Sequence, residues 1–184
     1  YELSTRDWSS DVCSSDLTQL GMNFTHAAPK KYQPPQAWMD IAAANCAASG
    51  GSVRVTEDVV EAVRNADFIY TDLWWWVDQE DQIPERRAAF MPTYQVTMDL
   101  LKKAPAHCKF MHCLPASRGV EVTDEVMDCP QSIIYDQSEN RLHTEKGLMV
   151  WLVYPRLKKP SDDLRSYHAG KIEGFIDQKF MNGA

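Results

Sequence analysis

Two side chains with reactive chemistry, the imidazole of His112 and the thiol of Cys113, stand next to each other just after a run with three apolar or sulfur-bearing residues, Cys108, Phe110 and Met111. We predict that this run forms a buried β-strand. Pro115 ends the strand, because proline has no backbone N–H for the hydrogen-bond ladder. A histidine and a cysteine at the carboxyl end of a strand are suited to binding a polar substrate, exchanging a proton or, if the thiol ionises, nucleophilic attack.

Other charged side chains fall at comparable points of the chain. Asp72 and Asp136 each end a predicted strand, over residues 68–72 and 132–136, and Arg141 lies in the first turns of the helix that follows. The carboxyl ends of strands in an open α/β sheet meet in the crevice where ligands bind. An arginine fork binds phosphate or carboxylate, and an aspartate binds an ammonium group. The pattern therefore predicts a crevice that holds an anion beside an amine.

Alternating β and α patterns position these residues. Predicted strands cover 22–28, 52–55, 68–72, 108–111 and 132–136, and predicted helices cover 38–48, 84–90, 96–103, 123–127, 137–153 and 164–180. Thr56 is the expected N-cap of a further helix, with Glu57 and Asp58 in its first turn. The spacing of the strands allows helical crossovers, which predicts an α/β fold with a doubly wound, mostly parallel sheet and helices on both faces.

Length, composition and charge exclude several classes of protein. The 184 residues suffice for one core with a small appendage, and a net charge of −7 without a basic stripe argues against a nucleic-acid partner. No apolar run reaches the ~20 residues of a membrane helix, and the start does not resemble a signal peptide. Five cysteines at irregular spacing indicate reduced thiols and a cytoplasmic protein. The sequence has no G-x-G-x-x-G motif for a dinucleotide, and we expect no cofactor.

The first seventeen residues differ from the remainder. They are rich in Ser and Asp and show neither helical nor strand periodicity. The eleven residues 7–17 are what one reading frame of a widely used sequencing-library adapter encodes. We therefore interpret residues 1–17 as an assembly artefact that takes no part in the fold. The alternative is a genuine disordered tail.

Structural roles compete with the functional ones. His112 could be a buried structural histidine, Cys113 a core residue and Asp72 the cap of a turn. Cys108, His112, Cys113 and Cys129 together could suggest zinc, but their spacing matches no common closed zinc site, so we expect no metal.

Several sequence blocks together resemble the C-terminal half of the ornithine and putrescine carbamoyltransferases. They are Tyr70–Trp74, His112–Pro115, Arg118–Val126 and Asp136–His143. The combination of His-Cys-Leu-Pro with Glu-Asn-Arg is highly specific for this family, and the similarity runs from about Thr18 to the end. The resemblance implies an amine-binding domain over residues 18–155, followed by a linker and a helix over residues 156–184.

The resemblance also implies roles for individual residues. The block His112–Pro115 would bind the amine, with Cys113 and the carbonyl of Leu114 holding it while it loses its proton. Arg141 would bind carbamoyl phosphate near its carbonyl, and Asp72 would orient the amine. The implied chemistry is acyl transfer, in which the enzyme supplies positioning and charge stabilisation and Cys113 is not a covalent nucleophile.

The residues after Asp72 favour one amine over another. Ornithine enzymes of this family carry Ser-Met-Gly where this sequence has Trp76-Val77-Asp78. A bulky ring and an acid suit the second ammonium of an aliphatic diamine better than an amino-acid head group, because cations bind Trp faces. The resemblance is therefore greatest to the putrescine branch. That branch implies carbamoyl phosphate and putrescine as substrates and a homotrimer stabilised by the last helix. The simplest alternative for Trp74–Trp76 is a hydrophobic contact surface.

Three other functions stay open. Ornithine carbamoyl transfer is the first, and the absence of Ser-Met-Gly argues against it. A non-catalytic binding or assembly module is the second, and it requires residues 1–17 to be genuine. A hydrolase using Cys113 and His112 is the third, disfavoured because neighbouring strand residues point to opposite faces.

The resemblance also concerns what precedes this domain in the family. Neither the carbamoyl-phosphate domain of the family nor the first strand of this domain is recognisable in the sequence. We therefore expect a sheet truncated at its N-terminal strand and a chain that is inactive by itself.

Overall fold

A computed structural model of the protein describes residues 15–76, 78–153 and 170. The chain divides into two units, each built from two stretches of sequence. The first unit has the residues up to Arg64 together with Trp74–Gln95, and the second has Asn65–Leu73 together with the residues from Val96 onward. The predicted last helix, 164–180, lies outside the described residues apart from the single residue 170.

The first unit contains a β-α-β arrangement. Its elements in chain order are a helical stretch over 15–19, strand β1 (Asn23–Ala27), helix α1 (Gln36–Ser49), strand β2 (Ser52–Thr56), helix α2 (Val59–Val63) and helix α3 (Ile83–Phe90). β1 and β2 are parallel and pair along their full length. Gly50 follows α1 with a φ of 83°, the left-handed geometry that glycine favours at a helix C-terminus. A Cβ on Gly51 would lie 2.5 Å from the carbonyl oxygen of Met22, so the turn into β2 requires glycine.

The second unit is built around another pair of parallel strands. Its elements are strand β3 (Phe68–Thr71), helix α4 (Met98–Leu101), strand β4 (Lys109–His112), helix α5 (Asp124–Met127) and helix α6 (Ile134–Val153). Its most deeply buried apolar side chains are Leu101, Cys108, Phe110, Val122, Val126 and Ile134. Thr71 of β3 lies opposite His112 of β4. The two strands therefore end side by side, and Asp72 and Cys113 leave the sheet at the same edge.

Parallel strands joined by helices confirm the α/β fold predicted from the sequence. In the described part of the chain the strands pair in the orders β1–β2 and β3–β4. The predicted strands at 22–28, 52–55, 68–72 and 108–111 each correspond to an observed strand, with ends that differ by at most one residue. None of the described helices combines the length and apolar character that crossing a membrane requires.

The predicted strand over residues 132–136 is wrong. Ser132 makes a single bridge to Phe110, and helix α6 already begins at Ile134. The apolar pair Ile133-Ile134 is too short for periodicity to separate a strand from the buried start of a helix. Asp136 therefore lies in the first turn of α6, where a negative charge suits the helix dipole, and not at a strand end.

The predicted cap of helix α2 is also wrong by two residues. Asp58, not Thr56, is the N-cap, because its Oδ1 accepts the backbone N–H groups of Val60 and Glu61. The hydroxyl of Thr56 instead accepts the N–H of Asp58 and holds the turn before the helix. A carboxylate and a hydroxyl two residues apart are both good caps, so the sequence alone did not separate them.

Candidate active site

The ends of β3 and β4 bring a carboxylate and a thiol into direct contact. The Sγ of Cys113 donates a hydrogen bond to Oδ1 of Asp72 across 3.0 Å. The same oxygen accepts the backbone N–H of Leu73 at 2.7 Å, which fixes the carboxylate. This contact follows from the register of the strands, since Asp72 and Cys113 are the residues after the pair Thr71 and His112. We call Asp72, His112 and Cys113 the thiol site.

Cys113 is held in its protonated form. Burial raises its pKa to about 11, a contact with Tyr70 acts in the opposite sense, and Asp72 adds to the increase. A thiol beside a carboxylate ionises reluctantly, because the thiolate would bring two negative charges together. At neutral pH Cys113 is therefore a hydrogen-bond donor and a poor nucleophile.

His112 is fully buried and organises the chain around it. Its backbone N–H donates to Oε1 of Gln137 at 3.0 Å, and its ring Nδ1 accepts the backbone N–H of Leu114 at 2.9 Å. A nitrogen that accepts carries no proton, so this bond assigns the ring proton to Nε2 in the neutral form. The imidazole thereby fixes the backbone that carries Cys113 and Leu114.

A buried glutamate completes the surroundings of His112. Glu121 is fully buried, and its Oε1 lies 3.4 Å from Nε2 of His112. The same oxygen accepts the backbone N–H of Ser117. In the described part of the chain Oε2 of Glu121 has no hydrogen-bond partner. A carboxylate is seldom buried unless its oxygens are engaged, so Glu121 ties His112 to the segment that follows Pro115.

Leu114 has an unusual backbone. Its φ of 58° lies in the left-handed region, which is uncommon for a leucine, and its peptide bond to Pro115 is cis. Residues held in this region cluster at functional sites, where the surrounding structure fixes them. The bond from the Leu114 N–H to His112 supplies that restraint and sets the direction of the carbonyl at Leu114.

Arg141 approaches the same loop from helix α6. Its Nη1 donates to the carbonyl oxygen of Cys113 at 3.3 Å, and its Nη2 lies 3.8 Å from Oε1 of Glu145. Its guanidinium is more than half exposed. An open groove of about 450 Å³ runs beside it, with Phe68 and Met111 among the apolar residues that line it. Arg141 therefore places a solvent-accessible cation against the backbone of Cys113, the residue that carries the thiol.

The arrangement fits a hydrogen-bonded site better than a metal centre. One ligand atom each of Asp72, His112 and Cys113 lie within 4.8 Å of one another, whereas Cys108 and Cys129 of the zinc set considered above are not in this group. Metal ligation needs a free lone pair and a deprotonated thiol. The Nδ1 lone pair of His112 already accepts an N–H, and the pKa of Cys113 is raised.

A cysteine hydrolase is also disfavoured, although not for the reason expected from strand geometry. His112 and Cys113 were expected to diverge, yet their ligand atoms lie within 4.8 Å. The decisive features are the raised pKa of Cys113 and its hydrogen bond to Asp72 rather than to a basic imidazole. Nucleophilic cysteines require the opposite, a lowered pKa beside a cationic group.

The structure thus brings Asp72, His112, Cys113 and Arg141 together, while their chemical roles stay predictions. Asp136 lies on α6 and lines the groove, but not as the end of a strand. The sequence argument missed Glu121 and Gln137. Both lie inside the sequence blocks that indicated the site. Glu121 stands between two valines and Gln137 follows an aspartate, and neither pattern predicts that the side chain contacts a buried histidine.

The residues that follow Leu73 belong to the first unit. We call residues 74–78 the aromatic loop; Val77 is outside the described residues. Trp74 is buried, and its ring stacks on Phe90 with centroids 5.2 Å apart. Trp75 is half-buried and Trp76 is 42% exposed. Trp74 is therefore an anchor within this unit, and Trp76 is the ring that the loop leaves accessible.

Known proteins match this chain over most of its length. A sequence model of the aspartate/ornithine carbamoyltransferase Asp/Orn binding domain matches residues 7–152. A putrescine carbamoyltransferase of Mycoplasma capricolum is 55% identical over 173 residues, which are 92% of this chain and 47% of the relative. An ornithine carbamoyltransferase of Thermococcus kodakarensis is 49% identical over 133 residues, 72% of this chain and 42% of the relative.

A solved structure agrees with these matches. Ornithine carbamoyltransferase from Pyrococcus furiosus superposes with a TM-score of 0.67 at 47% identity, over 72% of this chain and 42% of that one. The chain spans about half the length of the curated relatives that it matches.

Proposed function

Because the chain belongs to the aspartate/ornithine carbamoyltransferase family, as its His-Cys-Leu-Pro and Glu-Asn-Arg blocks predicted, we propose that it is the amine-binding part of a longer enzyme. That enzyme transfers the carbamoyl group of carbamoyl phosphate to putrescine and yields N-carbamoylputrescine and phosphate. The observation that carries the proposal is that the thiol of Cys113 donates to Asp72 while the carbonyl of the same residue accepts a hydrogen bond from Arg141. These groups are the amine holder and the anion holder that the sequence predicted.

The reaction needs a neutral amine. An ammonium group has no lone pair, so it must lose a proton before its nitrogen attacks the carbamoyl carbon. Asp72 accepts hydrogen bonds from the amine, and the carbonyls of Cys113 and Leu114 are further acceptors beside it. Because its pKa is raised to about 11, Cys113 stays neutral and orients the amine without forming a bond to the substrate.

The transition state carries negative charge that a cation stabilises. Attack by the neutral amine forms a C–N bond and a tetrahedral carbon bearing an oxyanion. The carbonyl then re-forms as the C–O bond to phosphate breaks, and the proton that the nitrogen loses passes to the departing phosphate. Arg141 is the exposed cation of this site, and in the proposal it leaves the Cys113 carbonyl and binds carbamoyl phosphate near its carbonyl oxygen. Fixed charge of this kind is the largest contribution to most acyl-transfer reactions.

Putrescine is favoured over ornithine by the aromatic loop. Trp76 and Asp78, both exposed, stand where ornithine enzymes of the family have Ser-Met-Gly. The 55% identity to a putrescine carbamoyltransferase over 92% of the chain supports the same choice. Ornithine, which is the substrate in the name of the Thermococcus kodakarensis relative, is the alternative.

The test uses the full-length enzyme that carries this segment. Phosphate release from carbamoyl phosphate is compared with putrescine and with ornithine as the amine. Higher kcat/KM with putrescine is expected. Higher kcat/KM with ornithine would instead support ornithine carbamoyl transfer. If neither amine causes phosphate release, a non-catalytic module would be favoured.

We also propose that the full-length enzyme is a homotrimer, stabilised by the segment 164–180. Its mass by light scattering is expected to be three times that of one chain. A truncation before Ser161 that leaves the trimer intact would contradict the role given to that segment.

A further inference from the structure

The aromatic loop is held by a buried cation, and we propose that this cation, Arg86, is a positioning residue that sets which amine the enzyme selects. The inference rests on the proposed function, in which the loop contacts the amine. Arg86 lies on helix α3 with 8% of its surface exposed. Arginine is rarely buried without specific partners, so its contacts indicate what it holds.

The guanidinium of Arg86 bonds to the first residue of the loop. Nη1 donates to the carbonyl oxygen of Trp74 at 2.8 Å, and Nε donates to Oε1 of Gln82 at 3.1 Å. Its central carbon lies 5.4 Å from the ring centroid of Tyr32, the geometry of a cation–π contact. One side chain thus links a helix, a loop carbonyl and an aromatic ring.

No carboxylate forms an ion pair with Arg86 within the stretches that the structure describes, although the charge of Glu85 acts on it through space. The neighbouring Glu85 is paired with Lys31 instead. Burying a charge is costly unless the charge is paired and hydrogen-bonded, and an apolar residue of similar size would avoid that cost. Oxygen dipoles and a ring face are the partners of this cation, and only one of them, the Trp74 carbonyl, belongs to the aromatic loop. An apolar residue in place of Arg86 would therefore leave the loop without this restraint.

A second anchor fixes the other side of the loop. The N–H of Trp76 donates to Oε1 of Gln79 at 3.2 Å, and the N–H of Gln79 donates to the carbonyl of Trp76 at 2.9 Å. Gln79 is 5% exposed, so the pair is shielded from water. The Arg86 and Gln79 anchors therefore restrain the backbone at Trp74 and at Trp76, the residue whose ring is exposed.

The experiment compares two neighbouring arginines of α3 in the full-length enzyme. Arg86→Gln removes the buried fork, and Arg87→Gln removes an exposed guanidinium from the same helix. Arg86→Gln is expected to raise KM for putrescine about tenfold and to lower the preference for putrescine over ornithine by a similar factor, since small misplacements near reacting groups are costly. KM for carbamoyl phosphate stays within about twofold, and Arg87→Gln changes none of these values.

Conservative rescue separates positioning from general structural support. Arg86→Lys keeps a cation and a donor for the Trp74 carbonyl, so it is expected to recover part of the amine preference. A purely structural residue would instead raise both KM values together and lower Tm without changing the preference. That pattern in Arg86→Gln would overturn the proposal.

A measurement of the loop itself keeps the test independent of turnover. Hydrogen exchange at the Trp76 amide is expected to accelerate in Arg86→Gln and to stay unchanged in Arg87→Gln. If Arg86→Gln does not fold, Gln82→Ala is used in its place, because it removes the acceptor of Arg86 Nε. Unchanged hydrogen exchange at the Trp76 amide in Gln82→Ala also overturns the proposal. If the wild-type enzyme transfers a carbamoyl group to neither amine, the proposed function fails, while exchange still decides whether Arg86 positions the loop.

Discussion

The thiol site and the aromatic loop are held in place by different physical means. In the thiol site, backbone N–H groups and buried polar side chains fix the reacting groups: Leu114 bonds to His112, and Glu121 lies against His112. In the aromatic loop, stacked rings and one buried cation hold the backbone, and Trp76 stays exposed. Directional bonds suit groups whose positions the proposed chemistry dictates, whereas stacked rings and a buried cation suit a loop that presents one exposed ring.

Under the proposed function, the thiol site carries the reaction common to all amines, and the aromatic loop carries the choice of amine. Changes in the thiol site should therefore affect putrescine and ornithine alike. Changes in the aromatic loop should alter the ratio between them. Each variant below is made in the full-length enzyme and tests whether the two regions have these separate effects.

The largest loss is expected from Arg141. Arg141→Gln removes the exposed cation proposed to stabilise the oxyanion, and kcat/KM should fall about a thousandfold, or ~4 kcal/mol, with both amines. Lys146→Gln, an exposed neighbour on the same helix, should keep full activity. Steady-state phosphate release measures both. A loss confined to one amine would break the division between reaction and selectivity.

Glu121→Ala should cost the most stability. It leaves the N–H of Ser117 without its buried acceptor, removes the carboxylate that lies 3.4 Å from Nε2 of His112 and opens a cavity, so the free energy of unfolding should fall by about 3 kcal/mol. Urea unfolding measures the change, with the exposed Glu125→Ala as the control expected to stay within ~0.5 kcal/mol. A near-neutral Glu121→Ala would show that this network does not hold the site.

Cys113→Ser should reduce kcat by roughly a hundredfold, because a reacting group that is misplaced by about 1 Å loses about that much rate. If Cys113 were a covalent nucleophile, its replacement would instead lower kcat about 10⁶-fold.

The raised pKa of Cys113 has a second consequence, because alkylation requires the thiolate. Alkylation of Cys113, followed by peptide mass spectrometry, should be slow at neutral pH and rise toward about pH 11. Rapid alkylation at pH 7 would contradict the neutral thiol.

Trp76→Ala tests the aromatic loop directly. Removing the exposed ring should lower the ratio of kcat/KM for putrescine to that for ornithine about tenfold, or ~1.4 kcal/mol, as expected for one cation–π contact. Trp38→Ala, which removes another partly exposed ring in the same unit, is the control. Equal losses with both amines would place Trp76 in the common machinery.

The smallest effect is expected at the surface pair of Arg118 with Asp128. The hydrogen bond from Arg118 holds the pKa of Asp128 below its usual value. A lowered pKa stabilises the fold above the unfolded pKa, and this stability disappears as pH falls through the folded pKa. Arg118→Gln should therefore lose less stability on acidification than the wild type. The difference in Tm should vanish in about 1 M salt, since both groups are exposed; a difference that survives salt would indicate a buried contribution.

Much of the site could be predicted from the sequence because its motifs are local. Asp72, His112, Cys113 and Arg141 were identified from strand ends and from short blocks, and the parallel register then placed Asp72 beside Cys113. The prediction failed where a short apolar pair left helix and strand equally plausible, as at Ile133-Ile134. It also failed to distinguish two caps two residues apart.

What the sequence determined by itself was therefore the α/β class, the family and the residues with chemistry, since these depend on residue type and on spacing along the chain. Only the tertiary structure decided which polar groups are buried and what they contact. Glu121 and Arg86 lie in segments where a charged residue is normally exposed, and neighbours such as Glu125 and Arg87 remain so. Burial depends on packing against elements that are distant in sequence, and no local pattern records that packing.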